Sequence, residues 1–293
     1  MKIKPKKLIP LLFVFIFFAG LSVMLYPTFS NWWNRNMASH AVSSYKEAVA
    51  GLDTGDTERL WEEAREYNRQ LAELYAPFTN FADIKGYDDI LNISGTGVMG
   101  YISIPSICVE LPIYHGTSEG VLQIAAGHIQ GSSLPVGGAD THAVISGHRG
   151  LPSAKLFTDL DQVVEGDVFT VNILDDILTY EVEKILIILP DETDKLAIIP
   201  DQDYVTLMTC TPYGVNSHRL LIRAHRIDTI YDRRIKVPAD ALQVDRMTVL
   251  PIIIGILIVI AVLFGAITGR NKHNIRIDKY IVSKLPSGED GGP

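Results

Sequence analysis

The feature that most limits how this chain can fold is a pair of uncharged apolar runs, one near each end of its 293 residues. The first, LIPLLFVFIFFAGLSVMLY, runs from Leu8 to Tyr26. The second, VLPIIIGILIVIAVLFGAIT, runs from Val249 to Thr268. At about 1.5 Å per helical residue, each is long enough to cross the roughly 30 Å hydrocarbon core of a bilayer. Lys2, Lys4, Lys6 and Lys7 precede the first run, and Arg270, Lys272, Arg276 and Lys279 follow the second. Positive charge at both outer flanks predicts two cytoplasmic termini and an extracellular middle. Trp32 and Trp33 fit the aromatic belt at the outer interface. The first run can also be read as a cleaved signal peptide, but it is long for that and no clean A-x-A site follows. Either reading exports the middle.

The expected organisation is then a cytoplasmic N-terminus (1–7), a transmembrane anchor or signal peptide (8–27) and an extracellular helical stalk (28–75). A loop (76–97) leads into a β-domain (98–230). A juxtamembrane linker (231–247), a second transmembrane helix (248–268) and a cytoplasmic tail (269–293) complete the chain. In the stalk, Leu60, Trp61, Ala64, Tyr67, Leu71 and Leu74 recur at helical spacing, with Asp56 or Thr57 as candidate caps. Residues 38–50 suggest a shorter helix, broken near Gly51–Gly55. From 98 onward the pattern changes to short segments rich in β-branched and aromatic residues: 98–104, 108–114, 142–147, 167–173, 177–189, 204–209 and 219–227. Gly, Pro or Asp turns separate them, which predicts a closed or nearly closed β-barrel. VLQIAAGHI (121–129) and SAKLFTDL (153–160) read as short helices.

The net charge is −8, without a basic patch in the middle region, which argues against nucleic acid as a partner. Two cysteines, Cys108 and Cys210, are too few for a disulfide framework. Cys108 lies in an apolar strand-like segment, ICVELPIY, where a core role is expected. Cys210 ends the strand YVTLMT and faces a loop, TPYGVNS, that returns Arg219 nine residues later. A nucleophilic thiol needs such access and a partner favouring thiolate. A permanent guanidinium suits a developing oxyanion. His148, in ISGHRG, stands at another strand end between glycines and can exchange protons near neutral pH. On residue type alone His115, His128, His142, His218 and His225 compete for that role, and Arg149, Arg223 and Arg226 compete with Arg219.

TLMTC with an Arg nine residues on resembles the sortase signature, and SGHRG resembles the sortase histidine segment. The similarity runs through VMGYISIP, LPIYHGTSEGVLQ, SLPVGG, GHRGLPSAKLFTDL and DYVTLMTCTPYGVNSHRLLIR, nearly all of 96–227. TPYGVNSHRLL, HRGLPSAKLF and a second span after the barrel resemble the pilus-building class C branch. The resemblance implies an eight-stranded barrel, no cofactor and no metal, with Cys210 as nucleophile, His148 as acid/base and Arg219 as oxyanion or substrate-orienting cation. It implies secreted pilin or surface proteins bearing an LPXTG-like signal as partners, and a Lys amine of a pilin as acceptor. Class C sortases commonly carry a lid with an Asp-Pro-aromatic motif, whose Asp pairs with the catalytic Arg. The equivalent here reads Ala76-Pro77-Phe78: the aromatic is kept and the Asp is lost. A looser lid is expected, with Asp83, Asp88 or Asp89 as substitute anions. Three other readings remain: a sortase that anchors proteins to peptidoglycan, a hydrolytic cysteine protease, and a non-catalytic membrane-tethered scaffold in which Cys210 is a core residue. The tail string LPSG, facing the cytoplasm, is read as coincidence.

Overall fold

The computed structural model describes residues 5–229 and, beyond them, Gly255 and Ile258. The second apolar span, the linker before it and the tail therefore lie outside the described residues. Contacts divide the chain into two units, one of them Tyr26–Ile235. Helix α1 (Pro5–Ala50) is continuous. Its stretch from Leu12 is long and apolar enough to cross a membrane, with none of its apolar window buried. This corrects the expectation of a separate helix over 38–50.

Within the unit Tyr26–Ile235, α1 ends at Ala50 and α2 (Thr54–Glu73) begins three residues after Gly51. Asp53 caps it, its carboxylate accepting from the Asp56 N–H at 2.8 Å. The cap thus lies earlier than the predicted Asp56 or Thr57; an extended Asp whose side chain reaches the third residue on is the usual N-cap geometry. Leu60, Ala64, Tyr67, Asn68 and Leu71 are buried along one face of α2. They join the main core, and the Asn68 side chain both donates to the Leu134 carbonyl (3.1 Å) and accepts its N–H (2.7 Å). The helix that resembled a stalk is packed on the barrel.

The barrel has eight strands: β1 (Val98–Ile104), β2 (Val109–His115), β3 (Ala126–His128), β4 (Thr141–Ser146), β5 (Val168–Ile173), β6 (Asp176–Ile188), β7 (Asp203–Thr211) and β8 (His218–Ile227). Around the closed barrel they run β1-β2-β3-β4-β7-β8-β6-β5. β2–β3 and β4–β7 are parallel; the other pairs are antiparallel. Strand β3 lies inside the segment expected to be helical, where only Glu119–Leu122 forms a short helix, α4. Residues 153–160 likewise form turns rather than a helix.

Because successive side chains of a strand point to opposite faces, the core divides in two. Ile145, Val205, Leu207, Leu220, Ile222 and their neighbours fill the interior. Val144, Ile188, Leu196 and Leu221 form a separate apolar patch on the opposite face of β4, β6, β7 and β8.

Candidate active site

The site grows from the outward face of β7. Met208 and Cys210 alternate with the interior residues Leu207 and Thr209, so both belong to the face that carries the second apolar patch. In the β7–β8 register Cys210 is directly opposite Arg219. Cross-strand neighbours of this kind have Cβ atoms roughly 4.5–5.5 Å apart. Both side chains are half-buried. The loop Pro212–Ser217 that joins them is exposed throughout. Cys210 thus stands next to the exposed end of the hairpin.

His148 arrives from β4. The parallel β4–β7 register ends with Ser146 opposite Met208. The Gly147 N–H then donates to the Met208 carbonyl at 3.0 Å. His148 follows directly, at the end of β4 that adjoins the Cys210 end of β7. The Thr209 hydroxyl donates to the Gly147 carbonyl at 2.7 Å, fastening the residue before His148 to the residue before Cys210. That gives the Thr of TLMTC a physical task. Gly147 has no room for a side chain: a Cβ there would lie 2.7 Å from the Phe157 ring. Gly150, at φ +77°, is covered by Tyr213, whose ring would be 2.7 Å from an added Cβ. Gly147 and Gly150, on either side of His148, thus let the Cys210–Arg219 hairpin and Phe157 close on its loop.

The three predicted residues are therefore brought to one end of β4, β7 and β8. Arg219 Nη1 donates to the carbonyls of Asn216 (3.2 Å) and His218 (3.1 Å), and among the described residues it has no carboxylate partner. Asp83, Asp88 and Asp89 make no ion pair among the described residues either, so no substitute for the missing lid Asp is formed. Glu119, which sequence reasoning did not single out, comes within 3.7 Å of His148 Nε2; at 74% exposed it is a solvent-screened contact. Arg149 was a competitor for the cationic role. Instead its guanidinium is bonded to Asp161 and lies 3.4 Å from the Thr211 hydroxyl, clamping the histidine loop to the residue after Cys210.

Three of the competing histidines and the two remaining arginines are tied up elsewhere. His128 is fully buried, with Nδ1 at 2.8 Å from the Tyr87 hydroxyl and Nε2 at 2.8 Å from the Ser133 carbonyl. His142 is buried between the Ala197 carbonyl and the Thr206 hydroxyl. Burial lowers the pKa of both, His128 to about 4. His115 lies between the carbonyls of Gly97 and Ile90. Arg223 reaches Glu183 and the Tyr204 ring; Arg226 stacks over Tyr180. Cys108 corrects its expectation: it is exposed, with φ +52°, in the turn before β2 rather than in the core. Among the described residues no group of three or more His, Cys, Asp or Glu could hold a metal ion.

The loop before the barrel crosses this face. Pro77 opens the short helix α3 (Pro77–Asn80), and Phe78 packs on the outer apolar patch that Met208 also touches. The approach is close: a Cβ on Gly131 would lie 2.7 Å from the Phe78 Cα. Ala76 is held in the left-handed region, φ 50° and ψ 64°, without a side-chain cap.

Comparison with known proteins agrees with this fold. Residues 102–227 match the family described as Sortase domain. The sortase C1 structure from Streptococcus agalactiae is 47% identical, with TM-score 0.60, over 65% of this chain and 100% of that one. A sortase C structure from Clostridium perfringens, described with the C-terminal cell wall sorting motif, is 43% identical, with TM-score 0.58, over 66% of this chain and 100% of that one. Sortase D of Bacillus subtilis is 30% identical over 115 residues, 39% of this chain and 55% of that protein, so the chain spans about half the length of that curated relative.

Proposed function

Since this chain belongs to the sortase family of cysteine transpeptidases, on its class C side, we propose that it cleaves an LPXTG-like sorting signal and joins the acyl product to a Lys amine of a pilin subunit. The observation that carries this reading is the register pairing of Cys210 with Arg219, with the β4–β7 register leading His148 to the same strand end. The scaffold reading fits poorly with a thiol that is half-buried on an outer face rather than sealed in the core.

In the proposed reaction the Cys210 thiolate adds to the Thr carbonyl of the signal, and Arg219 stabilises the oxyanion. The tetrahedral adduct collapses, the Thr–Gly C–N bond breaks, and His148 gives its proton to the departing Gly amine. A thioester remains on Cys210. The acceptor amine attacks it, His148 takes the amine proton, and the thiolate leaves as the isopeptide bond forms. Phe78 acts as a lid over the outer apolar patch and, through it, over Cys210. The apolar helix α1 suits an anchored surface enzyme. In the proposed topology both termini are cytoplasmic and the barrel extracellular, where anchoring raises its local concentration towards secreted substrates.

The test gives the full-length chain a labelled sorting peptide together with either a pilin-derived Lys peptide or a peptidoglycan stem peptide. Transfer to the Lys peptide, lost in Cys210→Ala and reduced at least about a hundredfold in His148→Ala and Arg219→Ala, is expected. Transfer to the stem peptide alone would make the enzyme a wall anchor; release of free acid alone would make it a hydrolase.

A further inference from the structure

We propose that Asn31 and Asn34 of α1 are positioning residues for His148, so that the juxtamembrane turns of the anchor helix are a working part of the active site. This rests on the assignment of His148 as the acid/base.

Asn34 Nδ2 donates to the Ser153 carbonyl at 2.8 Å, and the Lys155 N–H donates to Asn31 Oδ1 at 2.9 Å. Three residues apart on a helix, these side chains share one face. The same face continues through Ala38, Val42 and Tyr45, all buried against the barrel. The Tyr45 hydroxyl donates to the Met99 carbonyl (3.0 Å) and accepts the Leu174 N–H (2.7 Å). This part of α1 is therefore fixed to the barrel at its far end and holds the loop at its near end.

The loop it holds is the one that carries His148, and the path between them is short. Lys155 is followed by Leu156, a buried residue at φ 38°, outside the comfortable range for a residue with a Cβ. Such a conformation is costly and persists only where its surroundings over-determine it. Beyond it, the Phe157 N–H donates to the His148 carbonyl at 3.1 Å, and the Phe157 ring occupies the space above Gly147. The strained turn at Leu156 thus converts the anchoring of Lys155 into the placement of His148. Ala154, Leu156 and Phe157 of this loop pack into the main core, but next to them a cavity of about 230 Å³, lined in part by Asn31, Asn34, Lys155 and Leu156, lies between α1 and the barrel. The two side-chain amides make the hydrogen bonds that tie α1 to this loop across that gap.

The chemistry distinguishes the two amides. Asn31 is used as an acceptor, so Asn31→Asp keeps its bond and Asn31→Leu removes it. Asn34 is used as a donor, so Asn34→Asp places an acceptor against a carbonyl. With the full-length chain in nanodiscs, Asn31→Leu and Asn34→Asp are expected to lower kcat for peptide cleavage about tenfold or more with KM within about twofold, since small misplacements of a catalytic group act on the chemical step. Asn31→Asp should stay close to the unsubstituted chain. The Phe157 amide should exchange with solvent faster in the first two variants and not in the third. An unchanged kcat in a variant carrying both Asn31→Leu and Asn34→Asp, whatever its Tm, would overturn the proposal by reducing both residues to helix docking. If the unsubstituted chain cleaves no sorting peptide, the family reading of the chemistry fails separately. Phe157 exchange then decides alone: faster exchange upholds the positioning of the loop, and unchanged exchange overturns it.

Discussion

Gly147 shows how little freedom the His148 end of β4 has. Its missing Cβ is the space in which the Phe157 ring lies. Gly147→Ala should cost about 1–3 kcal/mol, the usual penalty for overfilling a packed site, and should lower kcat with it as His148 is pushed from the β7 strand end. Thermal melts and peptide cleavage measure the two together. His128 makes a different prediction. Burial holds it at about 4, below the ordinary value of about 6.5. Its neutral form accepts the Tyr87 hydroxyl and donates to Ser133. A lowered histidine contributes stability that is complete above the unfolded value and is lost as pH falls through about 6.5 towards 4, on the order of 3 kcal/mol in all. His142 acts in the same direction, while Asp203, whose pKa burial raises, offsets part of the loss at the acid end. Urea midpoints at pH 7 and pH 4.5 should therefore differ, and differ less in His128→Gln. Equal pH dependence in the two proteins would contradict this assignment.

At the scale of elements, the loop before the barrel carries the main departure from the class C pattern. Ala76 occupies a left-handed conformation that costs a residue with a Cβ roughly 1–2 kcal/mol, whereas Asp tolerates it better and Gly adopts it freely. The lid proposal makes Phe78 the cover and the absent Asp the lost latch. Phe78→Ala should then raise the rate at which a charged thiol reagent labels Cys210. Ala76→Asp should lower it, and Ala76→Gly, which relieves strain without adding charge, should not. Identical labelling rates in all three would remove the lid. The docking of α2 has a simpler test. Leu71 is fully buried in the main core, so Leu71→Ala should cost about 2–5 kcal/mol, a loss that a free-standing stalk would not suffer.

Over the whole molecule, what the sequence revealed was what local pattern controls. Val98–Ile104 is read from its β-branched and aromatic residues between turns and is found with the same bounds. The Cys210–Arg219 pairing follows from one short hairpin, which local spacing can close. His148 is different: it reaches Cys210 through a parallel pairing of strands some sixty residues apart, and without the family resemblance it was one histidine among several. Strand β3, three residues containing Gly and His, is too short to show a period, and its neighbours VLQIAA look helical. The docking of α2 is a tertiary fact that an amphipathic face leaves open. Helix α1 runs through Pro27 because one lost backbone bond does not end a helix whose later face is fixed by Ala38, Val42 and Tyr45. The contacts of Asn31 and Asn34 with the histidine loop had no local signal, because their partners are backbone groups more than a hundred residues away.

The central claim is that Cys210 is the nucleophile of an acyl transfer assembled at the end of β4, β7 and β8. Its most direct test is the intact mass of the full-length protein after incubation with an LPXTG-type peptide and no acceptor amine. The account predicts a mass increase equal to the acyl part of the peptide, localised to Cys210, removed by hydroxylamine and absent in Cys210→Ala. The claim is contradicted if no adduct forms in either the unsubstituted chain or Phe78→Ala while Cys210 also resists alkylation in the folded protein.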